Sequence, residues 1–298
     1  MNKPKISIIT PTFNQGNYIE ETINSVLAQE YPNLEYVIID GGSTDNTMDV
    51  LKKYQSKLSF WVSEKDSGQA DAINKGLKHC TGEIFNWLNS DDYLQEGALQ
   101  KIAGAFEDET VNMVAGKVRI FGNDSETIIQ NQNLSAQGLL CWEKGVKFVQ
   151  PGVWIRRELI DKCGGIDAEF HYSFDWDMYI RYLYHFPVVK EITDLLVHFR
   201  LHDDSKTISM AESFKEEQSR IIRKLHDLEQ FSGLQNICSY KLEKESWTSF
   251  LKNESETNST IATKFWRVFL SMPKHKRTAF TRQTAGALKA FILKREIN

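Results

Sequence analysis

Between Lys5 and Val118 short apolar runs rich in β-branched residues alternate with segments whose apolar residues recur at helical spacing. Lys5 to Thr10, with Ile6, Ile8 and Ile9, predicts a buried strand that stops at Thr10-Pro11-Thr12. Ile19, Ile23, Val26 and Leu27 make one face of a helix, opened by Asn17 and Glu20 in capping-box form. Leu34 to Ile39 reads as a second strand, Met48, Leu51 and Tyr54 as a second helix, and Leu58 to Val62 as a third strand. Ala70, Ile73, Asn74 and Leu77 space a third helix before a strand at Glu83 to Leu88. Leu99, Ile102, Ala103 and Phe106 fit another helix, and Val111 to Val118 another strand. Such alternation predicts an α/β domain with a mostly parallel central sheet flanked by helices. Ligands of these sheets bind beyond the carboxyl ends of the strands, so the residues after each strand are the ones to inspect.

From about Val149 the alternation loosens. Gln150 to Ile155 is an extended segment, Leu159 to Cys163 a helix closed by Gly164-Gly165, and another helix starts near Asp175. Runs at Val188 to Ile192 and Leu195 to Phe199 would complete the sheet. After Thr207 the character changes. Ala211 to Leu228 is helical and charged, and Ile261 to Asn298 carries nine Lys or Arg against Glu296 alone, a net of +8. The whole chain of 298 residues has a net charge of -4, which argues against a surface devoted to nucleic acid, and no nucleic-acid partner is expected. Cys80, Cys141, Cys163 and Cys238 are too scattered for a metal pair or a disulfide framework, so a reducing compartment is expected. The start does not read as a signal peptide, and no run of about 18 apolar residues occurs, so the expectation is a soluble or surface-bound protein.

Three strand ends carry polar clusters. Thr10-Pro11-Thr12-Phe13-Asn14 could be an ordinary turn on its own. In Asp40-Gly41-Gly42-Ser43-Thr44-Asp45 the glycines permit a tight turn, and Asp40 can accept hydrogen bonds from a nucleobase or ribose, although the same residues could simply cap a helix. Neither a GxGxxG nor a GxxxxGK[ST] loop is present, which removes the usual support for dinucleotide and P-loop readings. The third cluster is Trp87-Leu88-Asn89-Ser90-Asp91-Asp92-Tyr93. Adjacent carboxylates at a strand end repel unless a cation or a shifted pKa relieves them. A hard divalent cation takes one or two carboxylates plus phosphate oxygens, which suits a nucleotide diphosphate; a solvated loop is the alternative.

Taken together these stretches resemble the inverting family-two glycosyltransferases of the GT-A fold. The matching segments are Ser7 to Asn14, Tyr36 to Asp45 and Ser67 to Gly76, with Asn89-Ser90-Asp91-Asp92 similar to the family's metal-binding DxD segment, in order and spacing from about Ile6 to Thr207. The resemblance implies a GT-A catalytic domain over 1–207 and a helical, basic extension over 208–298. It implies that the donor is bound by Thr10, Pro11, Thr12, Asn14, Asp40, Asp71, Asn89, Ser90, Asp91 and His202, with Thr10, Thr12 and Asp40 at the base and ribose. Mn²⁺ or Mg²⁺ would sit on Asp91 or Asp92 rather than on Asn89, where many relatives have Asp.

An inverting displacement also needs a base for the acceptor hydroxyl. Phe174-Asp175-Trp176-Asp177 resembles the family's acidic segment, and Asp175 is the expected base. It opens a helix, where the dipole favours its ionised form. Asp177 and Arg181, four apart, read instead as an ion pair. His202 is expected beside the diphosphate, whereas His198, Trp154 and Trp176 read as structural. The implied reaction moves a hexosyl or N-acetylhexosaminyl group from a nucleotide-diphosphate donor, UDP by preference, to a glycan or lipid-linked hydroxyl in cell-surface polysaccharide synthesis. The expected place is cytoplasmic, with 261–298 expected to suit an anionic membrane surface at the inner face of the plasma membrane. Two rivals remain at this point. A nucleotidyltransferase would want a Gly-rich loop with a basic residue after the first strand, which Thr12-Phe13-Asn14-Gln15 lacks, and a non-catalytic partner subunit would not need Asp91, Asp92 and Asp175.

Overall fold

Among the described residues nine strands form one sheet. The structure, a computed structural model, describes residues 3–122, 125–202 and 211–255. The strands are β1 (Ile6–Thr12), β2 (Leu34–Asp40), β3 (Phe60–Ser63), β4 (Ile84–Trp87), β5 (Tyr93–Leu94), β6 (Met113–Gly122), β7 (Ser125–Gln130), β8 (Val153–Arg156) and β9 (Val189–Arg200). Their order is β3-β2-β1-β4-β8-β6-β9-β5, with β7 paired to β6; β3, β2, β1 and β4 run parallel, as do β6 and β9, while β8, β5 and β7 join antiparallel. Every residue of β1 is buried, which is why its sequence is a nearly continuous apolar run rather than an alternation.

The helices are α1 (Ile19–Leu27), α2 (Thr47–Tyr54), α3 (Gln69–Leu77), α4 (Ala98–Ala105), α5 (Ala136–Cys141), α6 (Glu158–Lys162), α7 (Phe174–His185), α8 (Ala211–Asp227) and α9 (Gln235–Ser255). Ile19, Ile23 and Val26 of α1 pack with Ile6, Ile8 and Ile38 of the sheet in the main core, joined by Leu99 and Ile102 of α4. The capping box expected at Asn17 and Glu20 does not form. The Glu20 carboxylate is held instead by Lys53 and by Tyr54 Oη at 2.9 Å, and the helix starts on Tyr18 and Ile19 N–H groups bonded to the Gln15 carbonyl.

The two runs expected at 188–192 and 195–199 are one strand, β9. Ala115 of β6 pairs with Glu191 and Lys117 with Leu195, so an irregularity falls where the apolar pattern breaks. The polar β7, the two-residue β5 and the short α5 have no counterpart in the expectations.

By contacts the chain divides into two compact units, Met1–Glu217 and Gln218–Asn298. The expected boundary at 207 lies within 203–210, outside the described residues. The second unit is helical where described, with Ile221, Ile222, Leu225 and Phe231 buried and Ser219 Oγ bonded to Glu245 Oε2 at 2.5 Å. The basic stretch 261–298 is likewise outside the described residues. Among the described residues no helix is long and apolar enough to cross a membrane.

Candidate active site

The parallel strands bring their carboxyl ends to one edge, where Thr12 pairs in register with Asp40 and Asp40 with Ser63. Asp40 is fully buried. Its Oδ2 accepts from the N–H groups of Gly42 (3.1 Å) and Ser43 (2.9 Å) and from Ser63 Oγ (2.6 Å), and its Oδ1 from Ser43 Oγ (2.5 Å). Both oxygens therefore lock the turn at this edge. Asn14, exposed and left-handed at φ 53°, accepts from Thr44 N at 2.8 Å and donates its own N–H to Ser43 Oγ at 2.7 Å. The first two loops are thus stitched together. Thr10, Pro11 and Thr12 are buried, and the Thr10 hydroxyl pairs with Tyr36 Oη at 3.1 Å inside the sheet. Phe13, 57% exposed, stands free at the same edge.

The third loop joins the fourth through side chains. Asp71 accepts from Ser67 N at 3.0 Å, close to the start of α3. The next contact is Gln69 Nε2 to Asn89 Oδ1 at 2.7 Å, and Asn89 Nδ2 in turn reaches Asp92 Oδ2 at 3.3 Å. The two adjacent carboxylates then face different surroundings. Asp92 is 1% exposed and accepts from the Arg200 backbone N–H at 2.9 Å. Burial first, and then the charge of Asp91, hold its pKa well above the usual carboxylate range. Asp91 stays partly exposed, with Oδ2 3.0 Å from His202 Nε2. Of the two acids expected to hold a cation, Asp92 is turned inward as an anchor and Asp91 is offered outward. Ser90 is buried, and its carbonyl accepts from Thr22 Oγ1 at 2.9 Å.

Arg200 and Tyr18 were not among the expected site residues. Arg200 Nε donates to the Asp91 carbonyl at 3.1 Å, its Nη2 reaches Glu21 at 2.5 Å, and its guanidinium lies 4.8 Å from the Phe121 ring centre. Tyr18 stacks on His202 with ring centres 4.9 Å apart. These roles arise from pairing between β9 and loops far away in sequence, which no local pattern reports.

A cation must suit what is present. Among the described residues no group of three or more His, Cys, Asp or Glu is gathered for a metal. Asp91 with His202 offers one carboxylate and one imidazole, a set that fits a divalent ion only where a diphosphate supplies the remaining oxygens. The donor set and a nucleotide diphosphate are therefore complementary.

Asp175 is the second residue of α7. Its Oδ1 accepts from Trp176 N at 2.7 Å, yet burial outweighs this helix-start stabilisation and pushes its pKa up to about 6. The shift is thus opposite to the dipole expectation, and it makes the carboxylate a stronger base that is still ionised at neutral pH. The ring of Phe174 lies 5.8 Å from that of Trp87, the last residue of β4, so the helix carrying Asp175 packs on the strand that leads into Asn89 to Asp92. Trp176 donates its indole N–H to the Leu139 carbonyl at 3.1 Å; it is buried, as are Trp154 and His198. Asp177 and Arg181 form the expected ion pair at 2.7 Å, fully interior, with Arg181 also bonded to the carbonyls of Cys163 and Gly165.

The model of the family described as glycosyl transferase family 2 matches residues 7–166. An uncharacterized glycosyltransferase of Nostoc sp. is 30% identical over 231 residues, covering 72% of this chain and 70% of that protein. The poly(ribitol-phosphate) β-N-acetylglucosaminyltransferase TarS of Staphylococcus aureus is 39% identical over 110 residues, 35% of this chain and 19% of that protein. The solved structure of TarS 1–349 in complex with UDP covers 97% of this chain and 87% of that one, at a TM-score of 0.64 and 19% identity. The mannosyltransferase PcManGT from Pyrobaculum calidifontis, solved with GDP-Man and Mn²⁺, covers 99% and 87% at a TM-score of 0.61 and 19% identity. The fold is the GT-A fold, its central sheet parallel through β3-β2-β1-β4 and mixed beyond.

Proposed function

The chain belongs to glycosyl transferase family 2, and from that premise we propose that it transfers a hexosyl or N-acetylhexosaminyl group, with inversion, from a UDP-linked donor to a hydroxyl of a glycan or lipid-linked acceptor in cell-surface polysaccharide synthesis. The observation that carries this reading is a pair of acids on elements that pack together. Asp175 has its pKa raised to about 6 at the start of α7, and α7 packs through Phe174 on the strand that leads to the outward-facing Asp91 beside His202. The UDP preference is supported by similarity to TarS, solved in complex with UDP, and the polysaccharide setting by TarS being a poly(ribitol-phosphate) β-N-acetylglucosaminyltransferase.

In this reading Asp175 accepts the proton of the acceptor hydroxyl as that oxygen attacks the anomeric carbon on the face opposite the leaving diphosphate. One displacement at one face inverts the configuration. Thr12, Asn14 and the turn locked by Asp40 line the nucleotide side, with Asp71 and Ser67 at the start of α3 closing it. A divalent cation, Mn²⁺ or Mg²⁺, held at Asp91 and His202 would neutralise the charge of the departing diphosphate. The test is nucleotide release from a panel of UDP-hexoses, UDP-N-acetylhexosamines and GDP-mannose with Mn²⁺. Release of UDP from one class supports the reading. GDP-mannose as the sole substrate would overturn the UDP assignment, and turnover of none would overturn the donor class.

A further inference from the structure

Glu217 lies on α8, well past the stretch 7–166 that carries the family match. The residue is 6% exposed, and its carboxylate takes three consecutive backbone N–H groups: His171 N on Oε1 at 2.7 Å, and Tyr172 N and Ser173 N on Oε2 at 2.8 Å each. These are the three residues that lead into α7, whose second residue is Asp175. A buried carboxylate is retained only where strong hydrogen bonds offset its desolvation, and charge-assisted bonds to backbone N–H groups are of that kind. The Ser173 side chain makes no cap of its own, so the turn is held from a different element. Tyr172 adds a ring contact to Phe214 of the same helix at 5.5 Å.

The held turn also borders the donor side. Gly68 sits at φ +119°, and a Cβ there would come 3.1 Å from His171 Nδ1, so a glycine lets the two loops approach. Gly68 is followed by Gln69, which bonds Asn89 of the acidic loop. One turn, 171–173, therefore lies between the donor loops and Asp175, and Glu217 grips it by three backbone bonds.

We propose that Glu217 is a positioning residue for the transfer, fixing through the 171–173 turn where Asp175 meets the acceptor hydroxyl. The inference rests on the reading of Asp175 as the base. The charge of Glu217 also favours the protonated form of Asp175. Among the described residues Tyr179, on α7 itself, is a further ionisable neighbour of Asp175, and α5, the helix packed on α7, carries Cys141 as its one titratable group.

The test uses the full chain as wild type, Glu217→Gln, Glu217→Asp and Asp175→Asn. UDP release from UDP-N-acetylglucosamine with Mn²⁺ is followed from about pH 5 to 8, together with hydrogen exchange of the peptide spanning 168–178. In Glu217→Gln the 171–173 amides should exchange faster, and kcat should fall about tenfold or more with the donor KM within about threefold. The acid limb of kcat/KM should move to lower pH, because a negative neighbour of Asp175 is gone. Glu217→Asp keeps the charge on a shorter arm, so its acid limb should stay in place while kcat falls. A residue that merely ties α8 down would lower stability and leave kcat of the folded variants unchanged. Unchanged exchange overturns the clamp whatever the turnover, and unchanged kcat in a folded Gln or Asp variant overturns the positioning role. Full turnover in Asp175→Asn would sink the base assignment instead, so the two failures are told apart.

Discussion

Neighbouring residues of like charge need not share a role, and Asp91 and Asp92 show how packing separates them. Asp92 satisfies the Arg200 backbone N–H and the Asn89 amide inside the protein. Asp92→Ala should therefore lower stability by about 1–3 kcal/mol, the cost of buried donors left without an acceptor, measured by denaturant unfolding. Asp91→Asn should leave the unfolding midpoint in place and abolish Mn²⁺-stimulated UDP release. Excess chelator should do the same to the wild type, with recovery on adding Mn²⁺; full turnover in chelator would contradict the cation assignment. Asp175 makes a prediction in pH. Below a pKa of about 6 it is protonated and cannot accept the acceptor's proton, so kcat/KM should fall about tenfold for each unit of pH below that value and level off above it. Asp175→Asn should lower turnover about a hundredfold or more and remove this limb, while UDP binding measured by calorimetry persists.

At the scale of elements, the strands and helices that bury a continuous or periodic apolar face were legible in the sequence. β1, β2 and β4 lie where Ile6, Val37 and Ile84 are fully buried, and α1, α3 and α4 follow their spacing. β7 escaped because most of its residues are exposed, so it carries no burial signal, and β5 because two residues make no pattern. The capping box at Glu20 failed because Lys53 and Tyr54 of α2 bind that carboxylate, a tertiary choice invisible locally. The same holds for the site. The acids at strand ends could be picked out, but not that Asp40 locks its own turn, nor that Arg200 and Glu217 brace the loops. Asp177 and Arg181 illustrate the legible kind, an i,i+4 pair on one helix. Being wholly interior, the pair should cost about 3–5 kcal/mol when broken one-sidedly by Arg181→Met, with unfolding rather than a changed pH profile as the readout.

Across the whole molecule charge is unevenly placed. The stretch 261–298 has a net of +8 in a chain of -4, leaving -12 for the remaining 260 residues. We propose that this tail attaches the enzyme to an anionic membrane face, where each basic residue contributes on the order of 1 kcal/mol. Full-length protein should float with anionic vesicles at low salt and not with neutral ones, and a chain ending near Ser259 should not float; equal flotation of both chains would remove the tail from the account. The central claim, however, is a single displacement assisted by Asp175, and stereochemistry reads it directly. Proton NMR of the sugar or glycoside first formed from α-linked UDP-N-acetylglucosamine, recorded before mutarotation, should show the β anomer. An initial α product would contradict the claim.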